Sequence, residues 1–256
     1  MTVHSRVASI DQALRAKGSD EGARAEKRYL KSDLQHYGVS VRDVRFVARD
    51  LHGADPDPSR SDVLALVEAL WSVPVHERRS CAVQLLILAQ QMLRAGDLAV
   101  LERLVRQSKT WALVDELAVR VVGPLVVRLP ALGDELDRWA ADEDFWVRRA
   151  ALLSLLLPLR SGGGDFPRFA RYADALLDER EFFIRKAIGW VLRDTSRRRP
   201  DLVYEWLLPR VHRASGVTLR EAVKYLPSEQ VVRLRDLRQV RASRGPGPGL
   251  SRTALP

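Results

Sequence analysis

Apolar side chains recur every three or four residues along most of this chain, and no stretch shows a convincing alternation of apolar and polar positions. The first pattern is typical of amphipathic helices, and the second would indicate strands. Proline and glycine interrupt the pattern at short intervals, among them Gly38, Gly96, Pro130, Pro200 and Pro227. Because these residues end helices, the pattern predicts about a dozen helices of roughly 10–16 residues each. The predicted fold is all-α.

Short polar residues before the apolar runs predict where helices begin. Asp62 precedes the run Val63–Val67, and Asp165 precedes Phe166. The side-chain oxygen of such a residue accepts hydrogen bonds from free backbone N–H groups in the first turn. We therefore expect Asp62 and Asp165 to be helix N-caps.

Six positions repeat in one register, with steps of 34, 36, 34, 37 and 34 residues, and each is followed two and three places later by small or apolar residues. The positions are Arg45, Arg79, Asp115, Arg149, Lys186 and Arg220. A period of this length is the signature of stacked helical hairpins. The sequence thus predicts a curved α-solenoid with these side chains in one row, which is basic except at Asp115. We expect one domain over residues 1–240. The Gly- and Pro-rich stretch 241–256 should be a flexible basic tail without helix.

Composition narrows the choice of partner. The 256 residues are 46% hydrophobic, carry a formal charge of +9 and give a sequence pI near 10.2. Such a chain can bury a substantial core, and its charge favours a polyanionic partner, with nucleic acid ahead of a membrane surface. The alternative is that many arginines only solvate helix faces, but the aligned row favours a shared role.

Several classes of site are not expected. The one cysteine, Cys81, lies in an apolar stretch and should be a buried, inert thiol. The five histidines show no ligand-like spacing, so we expect no metal and no cofactor. The first residues lack the apolar core of a signal peptide, and Pro158 interrupts the longest apolar stretch, 152–157. The expected location is the cytoplasm, at the nucleoid, with no membrane contact.

Residues 182–197 predict a helix with two different faces. Its buried stripe is Ile184, Ala187, Ile188 and Val191, and its polar face carries Lys186, Trp190, Arg193 and Arg197. A tryptophan among cations suits a surface that grips phosphates and touches a sugar or base. The alternative is that Trp190 covers the edge of the core.

Trp111 and Asp115 are four residues apart, which places them on one face of a helix. A carboxylate repels phosphates, so a surface that only binds DNA would avoid it. It becomes useful where positive charge develops, as in the oxocarbenium-like sugar formed when an N-glycosidic bond breaks. An indole face can hold a cationic substrate by cation–π attraction. The alternatives for Asp115 are a solvated helix residue and a salt bridge to a flanking arginine.

These residues carry a family resemblance. The segments Glu181–Arg193, Trp146–Ala151 and Tyr29–Lys31, together with Trp111 and Asp115, resemble the bacterial DNA alkylation-repair glycosylases of the AlkD type. The resemblance runs from about Tyr29 to Tyr225. It implies a right-handed α-solenoid of HEAT-like helical hairpin repeats with a concave basic surface. One departure is Thr110, where members of the family often have a second tryptophan.

The resemblance also implies roles for individual residues. The catalytic set would be Asp115, Arg149, Trp111 and Trp190, with Tyr29 joining the tryptophans around the damaged nucleotide. The DNA-binding set would be Tyr29, Arg45, Arg79, Arg148, Lys186, Arg193 and Arg220. The implied function is a monomeric hydrolase that removes N3- or N7-alkylated purines from double-stranded DNA in base excision repair. Two other readings stay open at this point: a non-catalytic family member that binds distorted or branched DNA, and a helical-repeat scaffold that binds a peptide.

Overall fold

The computed structural model describes residues 2–53 and 58–243, and within these ranges it contains helices and one isolated parallel bridge between Gln35 and Val75, but no strand. The predicted all-α fold is confirmed. The chain divides into two compact units, residues 1–157 and 158–256. The predicted single domain over 1–240 stays a prediction.

The first unit is built from ten helices among its described residues, with short 3-10 turns between some of them. They are α1 (Val3–Arg15), α2 (Asp20–Leu30), α3 (Val41–Gly53), α4 (Arg60–Trp71), α5 (His76–Leu88), α6 (Leu98–Ser108), α7 (Trp111–Leu117), α8 (Gly123–Arg128), α9 (Gly133–Ala140) and α10 (Phe145–Ser154). A π-helical turn, Ala118–Val122, joins α7 to α8. A short helix α11 (Leu156–Arg160) spans the division between the units.

The register positions lie on helices that pack side by side. In the first unit α3 packs against α5, α5 against α7 and α7 against α10. These four helices carry Arg45, Arg79, Asp115 and Arg149 in turn. The 34- to 36-residue step therefore corresponds to one helical repeat, as the sequence indicated, because each repeat buries its apolar face against the next one.

The second unit contains α12 (Phe166–Leu176), α13 (Phe182–Ser196), α14 (Pro200–Leu207), α15 (Gly216–Ala222) and α16 (Ser228–Ser243). Helix α13 packs closely on α15 at Gly189, where an added Cβ atom would lie 2.8 Å from Cβ of Glu221. The four residues predicted as the buried stripe of α13, Ile184, Ala187, Ile188 and Val191, are all fully buried. Lys186 and Arg220, the last two register positions, lie on this helix pair.

Helix ends show where the sequence prediction was right and where it was wrong. Asp165 caps α12, as expected, and accepts a hydrogen bond from the backbone N–H of Arg168 at 2.9 Å. The prediction that Asp62 is a cap was wrong: Ser59 caps α4, and Asp62 lies in its first turn. Either residue type can cap, and here Ser59 accepts a hydrogen bond from the backbone N–H of Asp62 at 3.2 Å.

The predicted tail begins later than expected. Helix α16 continues to Ser243, so residues 241–243 are helical, because none of Arg241, Ala242 and Ser243 is a helix breaker. The rest of the predicted tail, 244–256, lies outside the described residues.

Cys81 is fully buried, and burial raises the pKa of its thiol to about 12. This agrees with the inert thiol that the sequence predicted.

Candidate functional site

Asp115 and Arg149 form a two-pronged ion pair between α7 and α10. Arg149 donates from Nε to Oδ1 of Asp115 at 2.7 Å and from Nη2 to Oδ2 at 2.8 Å. The Arg149 side chain is 3% exposed, whereas that of Asp115 is 13% exposed. Parallel N–H···O bonds of this kind fix the plane of a carboxylate as well as its position. The pair therefore presents one oriented carboxylate whose opening to solvent is small.

The local fold explains how Asp115 is presented. Leu113, Val114 and Leu117 are buried and fix the inner face of α7, which leaves Trp111 and Asp115 on the partly exposed side. The sequence predicted this division of the helix, and it is confirmed. The π-helical turn Ala118–Val122 follows directly, and such turns occur frequently at functional sites.

Two opposing effects act on the pKa of the Asp115 carboxyl. Burial raises the pKa of its carboxyl above the ordinary value of 3.8, while the Arg149 guanidinium opposes this rise by charge and by hydrogen bonding. Glu116, the next residue, adds a smaller effect that also raises the pKa. A desolvated carboxylate interacts strongly with any positive charge placed beside it, because water screens it weakly. The geometry thus suits stabilisation of a cation.

An aromatic pair lies next to this carboxylate along α7. Trp111, one helical turn before Asp115, meets Tyr29 of α2 edge to face, with ring centroids 5.7 Å apart and planes at 83°. Tyr29 is 73% exposed, which is high for an aromatic side chain, so most of its ring is free to touch a ligand. The structure brings together Tyr29, Trp111, Asp115 and Arg149, which we call the carboxylate–aromatic cluster.

Helix α2, which carries Tyr29, is held by a buried polar network. Oε2 of Glu26 lies 2.9 Å from Nδ1 of His36, and Oε1 lies 3.6 Å from Nε2 of His76. The two imidazole rings stack with centroids 4.8 Å apart. The Glu77 carboxylate is fully buried and accepts hydrogen bonds from the backbone N–H groups of residues 37–39. This network ties α2 and the segment after it to the start of α5.

Part of this network has the composition of a metal site. Glu26, His36 and Glu77 each place one potential ligand atom within 4.8 Å of the others. Sequence spacing does not reveal the group, since its members come from three separate segments. The Glu77 oxygens already accept backbone hydrogen bonds and Glu26 already contacts both imidazoles, while Nε2 of His36 and Nδ1 of His76 are buried without a hydrogen-bond partner among the described residues. We assign them to holding α2 in place.

The predicted DNA-binding cations of the first unit have protein partners. Arg45 donates to Oε1 of Glu116 at 2.7 Å. Arg79 donates to the carbonyl oxygens of residues 71 and 107, and burial lowers the pKa of its guanidinium. Arg148 donates to the carbonyl oxygens of residues 142 and 143. The Glu116 carboxylate therefore offsets the charge of Arg45, whereas the carbonyl oxygens leave the charge of Arg79 in place. The DNA-binding role of these residues stays a prediction.

The cations of α13 also meet a carboxylate. Lys186 and Arg193 each donate to Glu221 at 2.6 Å, and Lys224 donates to it at 2.9 Å. Burial raises the pKa of the Glu221 carboxyl, but the hydrogen bonds from Lys186 and Lys224, together with the charges of Lys186 and Arg193, lower it to about 2. Sequence reasoning missed Glu221 because it lies 35 residues from Lys186.

Two predicted site residues of the second unit remain exposed to solvent in part or in full. Trp190 is half-buried on the same helix as Lys186 and Arg193. Arg220 is exposed on α15, and among the described residues it has no hydrogen-bond or ion-pair partner. The roles predicted for Trp190 and Arg220 stay predictions.

In the described ranges, no helix is long and apolar enough to cross a membrane.

The chain is similar to one protein family and to several solved structures. Residues 10–226 match a family model described as DNA alkylation repair enzyme. A predicted DNA alkylation repair enzyme from Enterococcus faecalis is similar in structure, with a TM-score of 0.75 and 23% identity over 83% of this chain and 98% of that one. AlkD2 from Streptococcus mutans gives a TM-score of 0.58 and 19% identity over 81% and 98%. No curated protein matches the chain. At these identities the structural likeness shows the fold.

Proposed function

The chain belongs to the DNA alkylation repair enzyme family, and we propose that it is a DNA glycosylase that hydrolyses the N-glycosidic bond of cationic N3- or N7-alkylated purines in duplex DNA. The observation that carries this proposal is the carboxylate–aromatic cluster. A desolvated carboxylate, oriented by Arg149, lies one helical turn from Trp111, which contacts the exposed ring of Tyr29. A cation that forms beside Asp115 would be stabilised without rearrangement of the protein.

The chemistry of the substrate explains why one carboxylate suffices. Alkylation at N3 or N7 leaves the purine positively charged, so the base departs with the electrons of the broken C1′–N bond and needs no proton. The sugar then carries the positive charge, as in the oxocarbenium-like transition states that glycosidases stabilise with carboxylates. Asp115 would stabilise this sugar cation and orient the water that attacks C1′. The proton that this water loses passes to Asp115 or to solvent.

Arg149 acts through Asp115 in this scheme. It is almost fully buried and donates two hydrogen bonds to the carboxylate, so its groups are turned to Asp115 and away from solvent. Each Asp115 oxygen accepts one of these bonds and keeps a second lone pair for substrate or water. We therefore assign Arg149 as a positioning residue that keeps the carboxylate ionised and fixes its plane.

Aromatic and cationic residues would supply the grip on DNA. The Trp111 and Tyr29 rings offer faces to a positively charged base or a sugar. Trp190, Lys186 and Arg193 on α13 are proposed as further contacts to DNA, together with the remaining basic residues predicted from the sequence. Because the substrate is chromosomal DNA, the protein would act in the cytoplasm, at the nucleoid.

The direct test is base release from a duplex that carries a single N7-methylguanine or N3-methyladenine. We expect the wild-type protein to release the free methylated base faster than it is lost spontaneously, and to release nothing from unmodified duplex. Binding to such duplexes without release of any alkylated base would contradict the glycosylase assignment and favour a non-catalytic DNA-binding member of the family.

The acid limb of the pH–rate profile provides a second prediction. Asp115 stabilises a cation only when it is ionised, and its pKa is raised by burial. The enzymatic single-turnover rate, corrected for spontaneous depurination, should therefore fall as pH is lowered from about 8 towards 4.5, and the fall should begin above the pH at which an ordinary aspartate titrates. Duplex binding, measured over the same range, separates this loss from a loss of affinity. A rate that stays constant down to about pH 4.5 would contradict the prediction.

A further inference from the structure

A groove with three arginines lies between α15 and α16 in the second unit. Its cavity of about 360 Å³ is lined by Arg220 of α15 and by Arg235 and Arg238 of α16. Leu219, Val223 and Leu234 supply apolar walls between these charges. We call this feature the arginine groove. Its size falls within the range of sites that hold a small ligand group.

Two arginines of the groove differ from other cations of this unit because no carboxylate pairs with them in the part of the chain that the structure describes. Lys186, Arg193 and Lys224 each form an ion pair with Glu221, so a carboxylate lies beside all three. Arg220 and Arg235, in contrast, are exposed and lack a hydrogen-bond or ion-pair partner in the part of the chain that the structure describes.

The third arginine of the groove is fixed in place. Arg238 is half-buried, and its Nη1 donates to the carbonyl oxygen of Ala214 at 3.0 Å, which leaves its remaining N–H groups for another acceptor. One anchored and two unpaired guanidinium groups therefore surround an apolar cavity. An uncompensated positive charge of this kind attracts an anion.

The chemistry of the lining identifies the class of anion. Guanidinium groups bind phosphate oxygens in a fork, and the aliphatic walls suit the carbon face of a sugar rather than a second charge. We propose that the arginine groove binds a sugar–phosphate unit of a DNA strand, as a contact that takes no part in bond cleavage. This proposal rests on the proposed function, since it takes DNA as the partner, and it agrees with the net charge of +9.

The test measures binding to undamaged duplex at a series of salt concentrations. Each lost phosphate contact makes the negative slope of log K against log salt shallower by about 0.9. We expect Arg235→Gln to make this slope shallower by about 0.9 and to lower the affinity by roughly threefold to tenfold at low salt. Arg220→Gln/Arg235→Gln should make the slope shallower by about twice as much. Both side chains are exposed, so the melting temperature should stay unchanged.

Arg213→Gln is the matched control, because it removes the same charge in the same unit. Arg213 pairs with Asp178 at 2.7 Å and lies away from the groove lining. The slope of log K against log salt for Arg213→Gln should equal that of the wild type. Equal salt slopes for Arg235→Gln and the wild type would overturn the proposal. So would an equal loss of duplex affinity in Arg235→Gln and Arg213→Gln. A third result would also overturn the proposal: tight binding of a free deoxynucleoside monophosphate that Arg235→Gln abolishes, with no change in the salt slope for DNA. The groove would then be a site for a free nucleotide.

The outcome is separable from that of the glycosylase proposal. Binding to undamaged duplex requires no bond cleavage. A protein that shows the expected slopes but releases no alkylated base would contradict the glycosylase assignment and leave the arginine groove supported.

Discussion

Asp115→Asn is expected to lower the single-turnover rate of base release from N7-methylguanine duplex by at least about 100-fold, the usual effect of removing one preorganised electrostatic group. The substitution keeps the size of the side chain but removes the negative charge that would face the sugar cation. Affinity for the duplex should change little or rise, because a carboxylate repels phosphates. The measurement is free-base release with protein in excess over DNA, together with the dissociation constant for the same duplex.

Glu116→Gln is the matched control for this prediction. Glu116 is the adjacent carboxylate on α7, but it pairs with Arg45 instead of Arg149. Its amide variant should retain most of the rate, because the charge removed is not the one that faces the substrate. The melting temperature of each variant must also be measured, since Asp115→Asn leaves the buried Arg149 without its counter-charge. A folded Asp115→Asn protein with wild-type base release would refute the catalytic assignment.

Arg149→Met is expected to destabilise the fold by about 3–5 kcal/mol, the usual cost of breaking a buried ion pair from one side. Methionine has a similar apolar stem, so the loss arises mainly from the Asp115 carboxylate, which would be left desolvated and unpaired. The remaining carboxyl should bind a proton more readily, so that base release at neutral pH also falls. The measurement is the free energy of unfolding in urea at neutral pH.

Two further variants separate charge from packing. Asp115→Asn/Arg149→Met removes both charges and should be more stable than Arg149→Met alone, because no unpaired buried charge remains. Arg45→Met breaks a more exposed pair, with side chains 41% and 26% exposed, and should cost no more than about 1 kcal/mol. If Arg149→Met and Arg45→Met had equal small effects, the Asp115–Arg149 pair would not be the buried element described above.

Local sequence patterns predicted the elements and their inner faces. The stripe at Ile184, Ala187, Ile188 and Val191 is buried as expected, because a helix that packs on one side must place its apolar residues at a helical period. The step of 34 to 37 residues predicted which helices are equivalent, and those of each unit do pack side by side. Local spacing also placed Trp111 and Asp115 on one face. All of these properties depend on residues that are close in sequence.

Which charged side chains meet depends on the folded arrangement of the chain. The sequence predicted a basic row with one acid, yet Arg45 forms an ion pair with Glu116 across 71 residues, and Lys186 forms one with Glu221 across 35. The contact of Tyr29 with Trp111 likewise joins two separate repeats. Coulomb interactions and ring contacts act over a few ångströms in space, whatever the distance along the chain. Patterns along the chain were thus sufficient to predict the helices, their repeat and the candidate acid, whereas packing in three dimensions pairs Arg149 with this acid and leaves Arg220 unpaired among the described residues.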